Sequence, residues 1–181
     1  MNAALAQTCG VAVVSVDYRL APKHPVEGVL DDCETAALWV LENLYEEFGC
    51  YDVFMGGESA GAHLAASTAI RLRDQRPLNG LVLLYGCYDL CGTPSLMGAG
   101  PDTLILHGPT LADALKALLA GLSDDDKRGP ALSPLYADLN GMPPALMLVG
   151  TLDPLIDDTL MLADRWRAQS GAAVEMHVVP E

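Results

Sequence analysis

Tyr51–Ile70, YDVFMGGESAGAHLAASTAI, reads as a short apolar strand (Val53, Phe54, Met55), then Gly56-Gly57-Glu58-Ser59-Ala60-Gly61, then a small-residue helix. A serine on so sharp a strand-to-helix turn has its hydroxyl pushed out above the carboxyl edge of a sheet, on a strained backbone. Gly57 and Gly61 carry no Cβ, which lets the helix pass close to the preceding strand. Ser59 also stands at the helix N-terminus. There the Ala60 N–H lacks an intrahelical partner and the helix dipole favours developing negative charge. The same letters also fit an ordinary Gly/Ser turn capping a helix. The apolar strand before them and the Ala-rich helix after them favour a nucleophile.

Around this stretch the chain has the makings of one globular domain. Its 181 residues are 51% hydrophobic, enough for a substantial core. A formal net charge of −14 argues against nucleic acid and anionic membrane surfaces as partners. No apolar run reaches the length of a membrane span, and the first twenty residues lack a basic segment followed by an apolar one. The five cysteines (Cys9, Cys33, Cys50, Cys87, Cys91) are odd in number, without C-x-x-C or Cys/His spacing. Reduced thiols and a cytoplasmic setting are expected, with no metal centre.

Strands and helices alternate along the chain. Residues 1–9 resemble the tail of a helix capped by Gly10, and Val11–Val16, VAVVSV, has the two-sided apolar character of a strand buried in a parallel sheet. Val26, Leu30, Cys33, Ala37, Leu41, Leu44 and Phe48 recur at three- and four-residue steps, one face of a long helix stopped by Gly49. The helix after Ser59 should run to about Gln75, where Pro77 and Gly80 interrupt it. Leu81–Tyr85, Pro144–Gly150 and Ala173–Val179 complete a set of five strands, with helices over Leu111–Leu122 and Asp157–Ser170. Five prolines divide the irregular insert 86–142. This order predicts an α/β fold, a mostly parallel sheet with helices on both faces.

Working groups in such sheets gather at the carboxyl ends of strands. Those ends carry Asp17-Tyr18-Arg19, Ser59, Asp89 and Asp153. A serine nucleophile needs a base for its proton and an acid to orient that base. Asp153, in Gly150-Thr151-Leu152-Asp153-Pro154-Leu155, is the first choice for the acid, and Asp89 the second. Either residue also suits a turn in which its carboxylate bonds its own backbone. None of the four histidines is well placed as the base. His24 lies in a Pro-flanked loop, and His63 is one turn into the helix, pointing away from the hydroxyl. His107 falls in the insert, and His177 lies inside the last strand, facing a covering helix. A structural role is expected for each.

Four motifs together resemble the hormone-sensitive-lipase-like branch of the α/β-hydrolases. They are Val16-Asp17-Tyr18-Arg19-Leu20-Ala21-Pro22-Lys23-His24-Pro25, the GESAG elbow at Gly57–Gly61, Ser133-Pro134-Leu135, and Pro143-Pro144-Ala145 leading into Asp153-Pro154-Leu155. The resemblance spans nearly the whole chain. It implies that Ser59 is the nucleophile, Asp153 the triad acid and the Ala60 N–H an oxyanion donor. The reaction implied is hydrolysis of carboxylic esters with short or medium acyl chains, through an acyl-enzyme and with no cofactor. The insert 86–142 would form part of a cap over the substrate.

Three departures qualify that reading. Glu58 stands where the family usually has Asp. Nothing before Val11 resembles the family's H-G-G-G oxyanion loop. Val178-Val179-Pro180-Glu181 matches only the start of the turn that carries its catalytic histidine. The expectation is therefore a piece of a longer esterase, nearly inactive by itself. The α/β-hydrolase sheet would be incomplete, leaving Val11–Val16 and Val53–Met55 to pair directly, to stand apart, or to be completed by another chain. A non-catalytic hydrolase-fold protein binding a small ligand or partner is the alternative. An amide, thioester or lactone could also replace the ester.

Overall fold

The computed structural model describes residues 2–75, 77–101 and 106–180. They fall into two compact units, Met1–Asp52 and Val53–Glu181. The insert 86–142 contains four of the residues outside that description, and Glu181, the last residue of the stretch that matches the start of the histidine turn, is another.

In the first unit, α1 (Asn2–Cys9) and α2 (Val26–Phe48) are the regular elements. Leu30, Cys33, Leu41 and Leu44, from the three- and four-residue steps of α2, are buried. Gly49 ends the helix at φ 66 and returns its N–H to the Tyr45 carbonyl, an end that glycine adopts without steric cost. The segment before α2 is tied by Arg19. Its guanidinium donates to both Asp32 oxygens, at 2.8 and 2.7 Å, and to the Gly28 carbonyl at 2.9 Å. That bidentate bond holds the Asp32 carboxyl at about 2.

Val11–Val16 is not a strand. No ladder bonds it, and Val11, Val14 and Val16 are 47%, 47% and 37% exposed. β-Propensity makes a segment ready to pair but cannot supply the neighbouring edge, and without that edge there is no strand. The sheet accordingly has four strands, where the sequence suggested five, and Asp17 does not follow a strand end.

The second unit is built on that sheet, ordered β1 (Phe54–Glu58), β2 (Gly80–Leu84), β3 (Ala145–Gly150) and β4 (Val174–Val179), with every pair parallel. Each crossover is helical or partly so, as parallel neighbours require. α3 (Ala60–Leu72) packs on β1 and β2, and α7 (Ile156–Ser170) on β3 and β4. Leu83, Met147, Val149, Ala66, Leu162 and Trp166 are fully buried in this core. A large apolar side chain so placed stabilises by about 1.5–3 kcal/mol. The Trp166 indole N–H finds the Pro143 carbonyl at 2.9 Å, so its burial strands no donor.

Among its described residues, the insert between β2 and β3 holds α4 (Pro94–Met97), α5 (Gly108–Leu118) and α6 (Asp124–Lys127), and a 3-10 turn at Pro134–Tyr136. The expected Leu111–Leu122 helix starts earlier, because His107 caps it: its Nδ1 accepts from the Thr110 N–H. Two adjacent carboxylates at the head of α7 fasten the start of the insert. Asp158 accepts the N–H groups of Tyr88 and Asp89 at 2.5 and 2.9 Å and the Thr93 hydroxyl at 2.5 Å. Asp157 accepts the Ser95 N–H at 2.8 Å, while the Ser95 hydroxyl donates to the Pro154 carbonyl at 2.7 Å. No helix among the described residues is long and apolar enough to cross a membrane.

Candidate active site

The register brings the carboxyl ends of the strands together, with Glu58 opposite Leu84 and Leu84 opposite Leu148. Ser59 follows β1 directly, at φ 53 and ψ −119, an angle pair far from either helix or strand. Its N–H donates to Leu84 O at 2.9 Å, and its carbonyl accepts from Ala62 and His63 at 3.1 and 3.2 Å. The residue is exposed. The sharp turn is therefore fixed at both of its peptides while the side chain stays open to solvent. The Ala60 N–H, at the head of α3, takes no part in those bonds.

The two elbow glycines differ in what they do. A Cβ on Gly57 would overlap the Gly61 carbonyl and stand 2.8 Å from the Ala62 nitrogen, so a bare backbone is required there. A Cβ on Gly61 would meet nothing within 4 Å. The close approach is between these two residues, and it requires the missing Cβ at Gly57 alone.

Asp153 lies in the turn after β3, half-buried. Its Oδ1 accepts the Leu155 N–H at 2.9 Å, and its own N–H donates to the Gly150 carbonyl at 3.2 Å. Burial pushes its carboxyl above the usual range against the pull of the Leu155 bond. Tyr85, the residue after β2, feels the charges of both Glu58 and Asp153, so the edge between Ser59 and Asp153 is negatively charged and carries one phenol.

Asp89, the second choice of acid, is occupied elsewhere. It is 3% exposed, accepts the Tyr136 hydroxyl and the Cys91 N–H at 2.8 Å each, and faces Arg128 at 3.7 Å. Both aspartates also make the local turn bond that their sequence allowed, since each accepts the N–H two residues on.

No hydrogen bond links a histidine side chain to Ser59 among the described residues. His63 is buried with its Nδ1 2.7 Å from the Cys87 carbonyl, so that nitrogen carries the proton and Nε2 is left without a partner. Burial pushes its imidazole below the ordinary range. His24 lies in the turn before α2, and His107 caps α5. His177 does not face a covering helix: its side chain is 54% exposed and pairs with Glu175 at 2.7 Å. β4 is an edge strand, and alternation puts both residues on its open face. No group of three or more His, Cys, Asp or Glu among the described residues is arranged to hold a metal ion.

Sequence alone missed two residues of this region. Tyr85 reads as the last letter of a strand, and its left-handed backbone has no local signature. Asp158 reads as a first-turn acid placed for the helix dipole, whereas it is fully buried.

A family model described as the alpha/beta hydrolase fold matches residues 1–181. The carboxylic ester hydrolase LipN of Mycobacterium tuberculosis is 35% identical over 175 residues, which are 92% of this chain and 46% of that protein. A hyperthermophilic esterase from the archaeon Pyrobaculum calidifontis superposes with a TM-score of 0.84 at 34% identity, covering 98% of this chain and 60% of that one. A hormone-sensitive lipase from a metagenome library gives 0.78 at 30% identity, over 91% of this chain and 55% of that one. The chain spans about half the length of the curated relatives it matches.

Proposed function

Since the chain belongs to the α/β-hydrolase family, we propose that it carries the nucleophile and acid of a serine carboxylesterase acting on esters of short or medium acyl chain. The observation that carries this reading is Ser59: an exposed serine on a strained turn, at the head of a helix and at the carboxyl edge of a parallel sheet. In the reaction its Oγ attacks the ester carbonyl carbon and gives its proton to a base. The tetrahedral oxyanion collapses as the protonated base gives that proton to the departing alkoxide, and water, deprotonated by the same base, then attacks the acyl-enzyme and releases the acid, the proton returning to Ser59 Oγ. The Ala60 N–H would donate to the oxyanion, where losing one such donor costs about 3 kcal/mol of transition-state stabilisation. Asp153 would orient the base and stabilise its cationic form.

None of the four histidines is assigned to that base: His63 is committed to Cys87, His107 caps α5, His177 pairs with Glu175, and His24 lies in the turn before α2. The base and a second oxyanion donor therefore have no candidate among the described residues of a chain that spans about half the length of its curated relatives. The 181-residue chain by itself is then nearly inactive, because a serine without its imidazole keeps an ordinary alcohol's reactivity. Residues 86–142 would be part of a cap over the substrate. Five cysteines, odd in number and without C-x-x-C or Cys/His spacing, support a reducing, cytoplasmic setting. That no histidine side chain is hydrogen-bonded to Ser59 among the described residues favours one other reading, a hydrolase-fold protein that binds a small ligand without turning it over.

The test is fluorophosphonate labelling and p-nitrophenyl ester hydrolysis by the 181-residue chain and by the protein as its gene encodes it. Labelling and turnover confined to the latter, and lost in Ser59→Ala, support the proposal. Robust Ser59-dependent turnover by the 181 residues would mean that the base has been misassigned. Turnover by neither form would leave the binding protein.

A further inference from the structure

Among the described residues, two other than glycine hold positive φ angles, Ser59 at 53 and Tyr85 at 41. They leave neighbouring parallel strands at the same level, because Glu58 pairs with Leu84 in register. The Ser59 N–H donates to Leu84 O, and the Tyr85 N–H donates onward to Leu148 O on β3 at 2.7 Å. A tyrosine is crowded in this region of φ, where glycine sits freely. Strain kept where glycine would relieve it points to a side chain that is needed in that place.

The Tyr85 side chain makes one bond that gives the strain a purpose. Its hydroxyl donates to Glu58 Oε2 at 2.8 Å. That bond, then burial, then the charges of Glu58 and Asp153 push the phenol above its usual range, so it remains a donor at any physiological pH. Glu58 is an exposed residue at the end of a strand, joined by one peptide to Ser59. Unanchored, its side chain would sample several rotamers beside the serine.

Resting on the reading of Ser59 as nucleophile, we infer that Tyr85 is a positioning residue: its hydroxyl anchors the Glu58 carboxylate and, through the Glu58–Ser59 peptide, holds the turn that presents the serine hydroxyl. The sheet then aims its nucleophile from two sides. Gly57 sets how close the helix comes, and Tyr85 on the neighbouring strand fixes the residue just before the serine.

The test is amide hydrogen exchange, read residue by residue in the 181-residue chain and in Tyr85→Phe, Glu58→Ala and the double variant. Exchange of the Ser59 amide is expected to quicken by about tenfold in each single variant and by no more in the double, while β3 and β4 exchange as before. A purely structural tyrosine would instead quicken exchange throughout the sheet. Ultraviolet titration of the phenol, as the difference between parent and Tyr85→Phe, should move down toward the ordinary range in Glu58→Ala. An unchanged Ser59 amide, a uniform loss of protection, additive effects or an unmoved phenol each overturn the inference. For the protein as its gene encodes it, Tyr85→Phe should lower kcat several-fold at constant KM. Ser59→Ala dead beside Tyr85→Phe fully active overturns the inference and leaves the esterase reading standing. Ser59→Ala fully active removes the esterase reading, and the exchange data still decide whether Tyr85 holds the turn.

Discussion

The backbone of Gly61 occupies the space that a side chain on Gly57 would need, while the space beside Gly61 itself is empty to 4 Å. Gly57→Ala must push α3 away from β1, and backbone on both sides leaves nothing flexible to give. A cost of about 1–3 kcal/mol is expected, as for other overpacked sites. Gly61→Ala adds a methyl group to open space in a helix and should stabilise by about 0.5–1 kcal/mol. Urea unfolding of both variants checks this: the midpoints should move in opposite directions at an unchanged m-value.

Ser59 sets function against stability at one residue. Its backbone strain costs on the order of 1–3 kcal/mol, and glycine would adopt the same angles without it. Ser59→Gly should therefore melt higher, by about 2–4 °C for each 1 kcal/mol recovered, while in the protein as its gene encodes it the same change abolishes fluorophosphonate labelling. A lower melting temperature would show that the turn is not strained as its angles imply.

Asp158 gives the fold an inverted acid response. Burial outweighs its three hydrogen bonds and raises its carboxyl from 3.8 to about 6. Between those values the folded state binds a proton that the unfolded state does not. The contribution of this group is therefore fully present below pH 4 and is lost as pH rises through about 6, by roughly 3 kcal/mol. Asp32 and Asp138, both held low by their partners, act in the opposite sense as pH falls below their unfolded values. Unfolding free energies measured from pH 4 to 6 should fall more steeply in the parent than in Asp158→Asn.

His63 acts against Asp158 in the neighbouring range. Its folded imidazole is pushed down, so the unfolded chain takes up the proton first and stability is lost as pH falls through about 6.5. His63→Phe removes the donor to a buried carbonyl, Cys87 O, and should cost about 1–3 kcal/mol at pH 8. The gap between parent and variant should narrow on acidification, since the variant has no imidazole to protonate. Paired denaturant curves at pH 8 and pH 5.5 measure it, and a gap that widens would mean His63 is charged in the fold.

β1 is an edge of the four-strand sheet, and Phe54 at its start is 65% exposed. An unpaired apolar edge templates association with other chains, and one lysine on it is an effective deterrent. Phe54→Lys should raise the concentration at which light scattering first detects self-association of the 181-residue chain. An unchanged threshold would move the sticky surface elsewhere.

The sequence by itself determined whatever is decided over a few neighbouring residues. The bounds of α2 follow from apolar steps and Gly49. The elbow follows from a strand, two glycines and an Ala-rich helix, and the order of β1 to β4 from apolar runs between helical patterns. These depend on backbone sterics and on which face of an element is apolar, both of which are local. Tertiary structure alone decided the rest. VAVVSV has every mark of a strand and is not one, because a strand requires a partner edge that local sequence does not contain. Asp153 and Asp89 rank first and second from similar positions after their strands, and only the folded chain shows Asp89 bound to Tyr136 and Arg128 and Asp153 near Tyr85. Tyr85, His63 and Asp158 took their roles from groups 27, 24 and 70 residues away. Hydrogen bonds at that separation exist only once the sheet has brought its strand ends together, so no reading of neighbours could have supplied them.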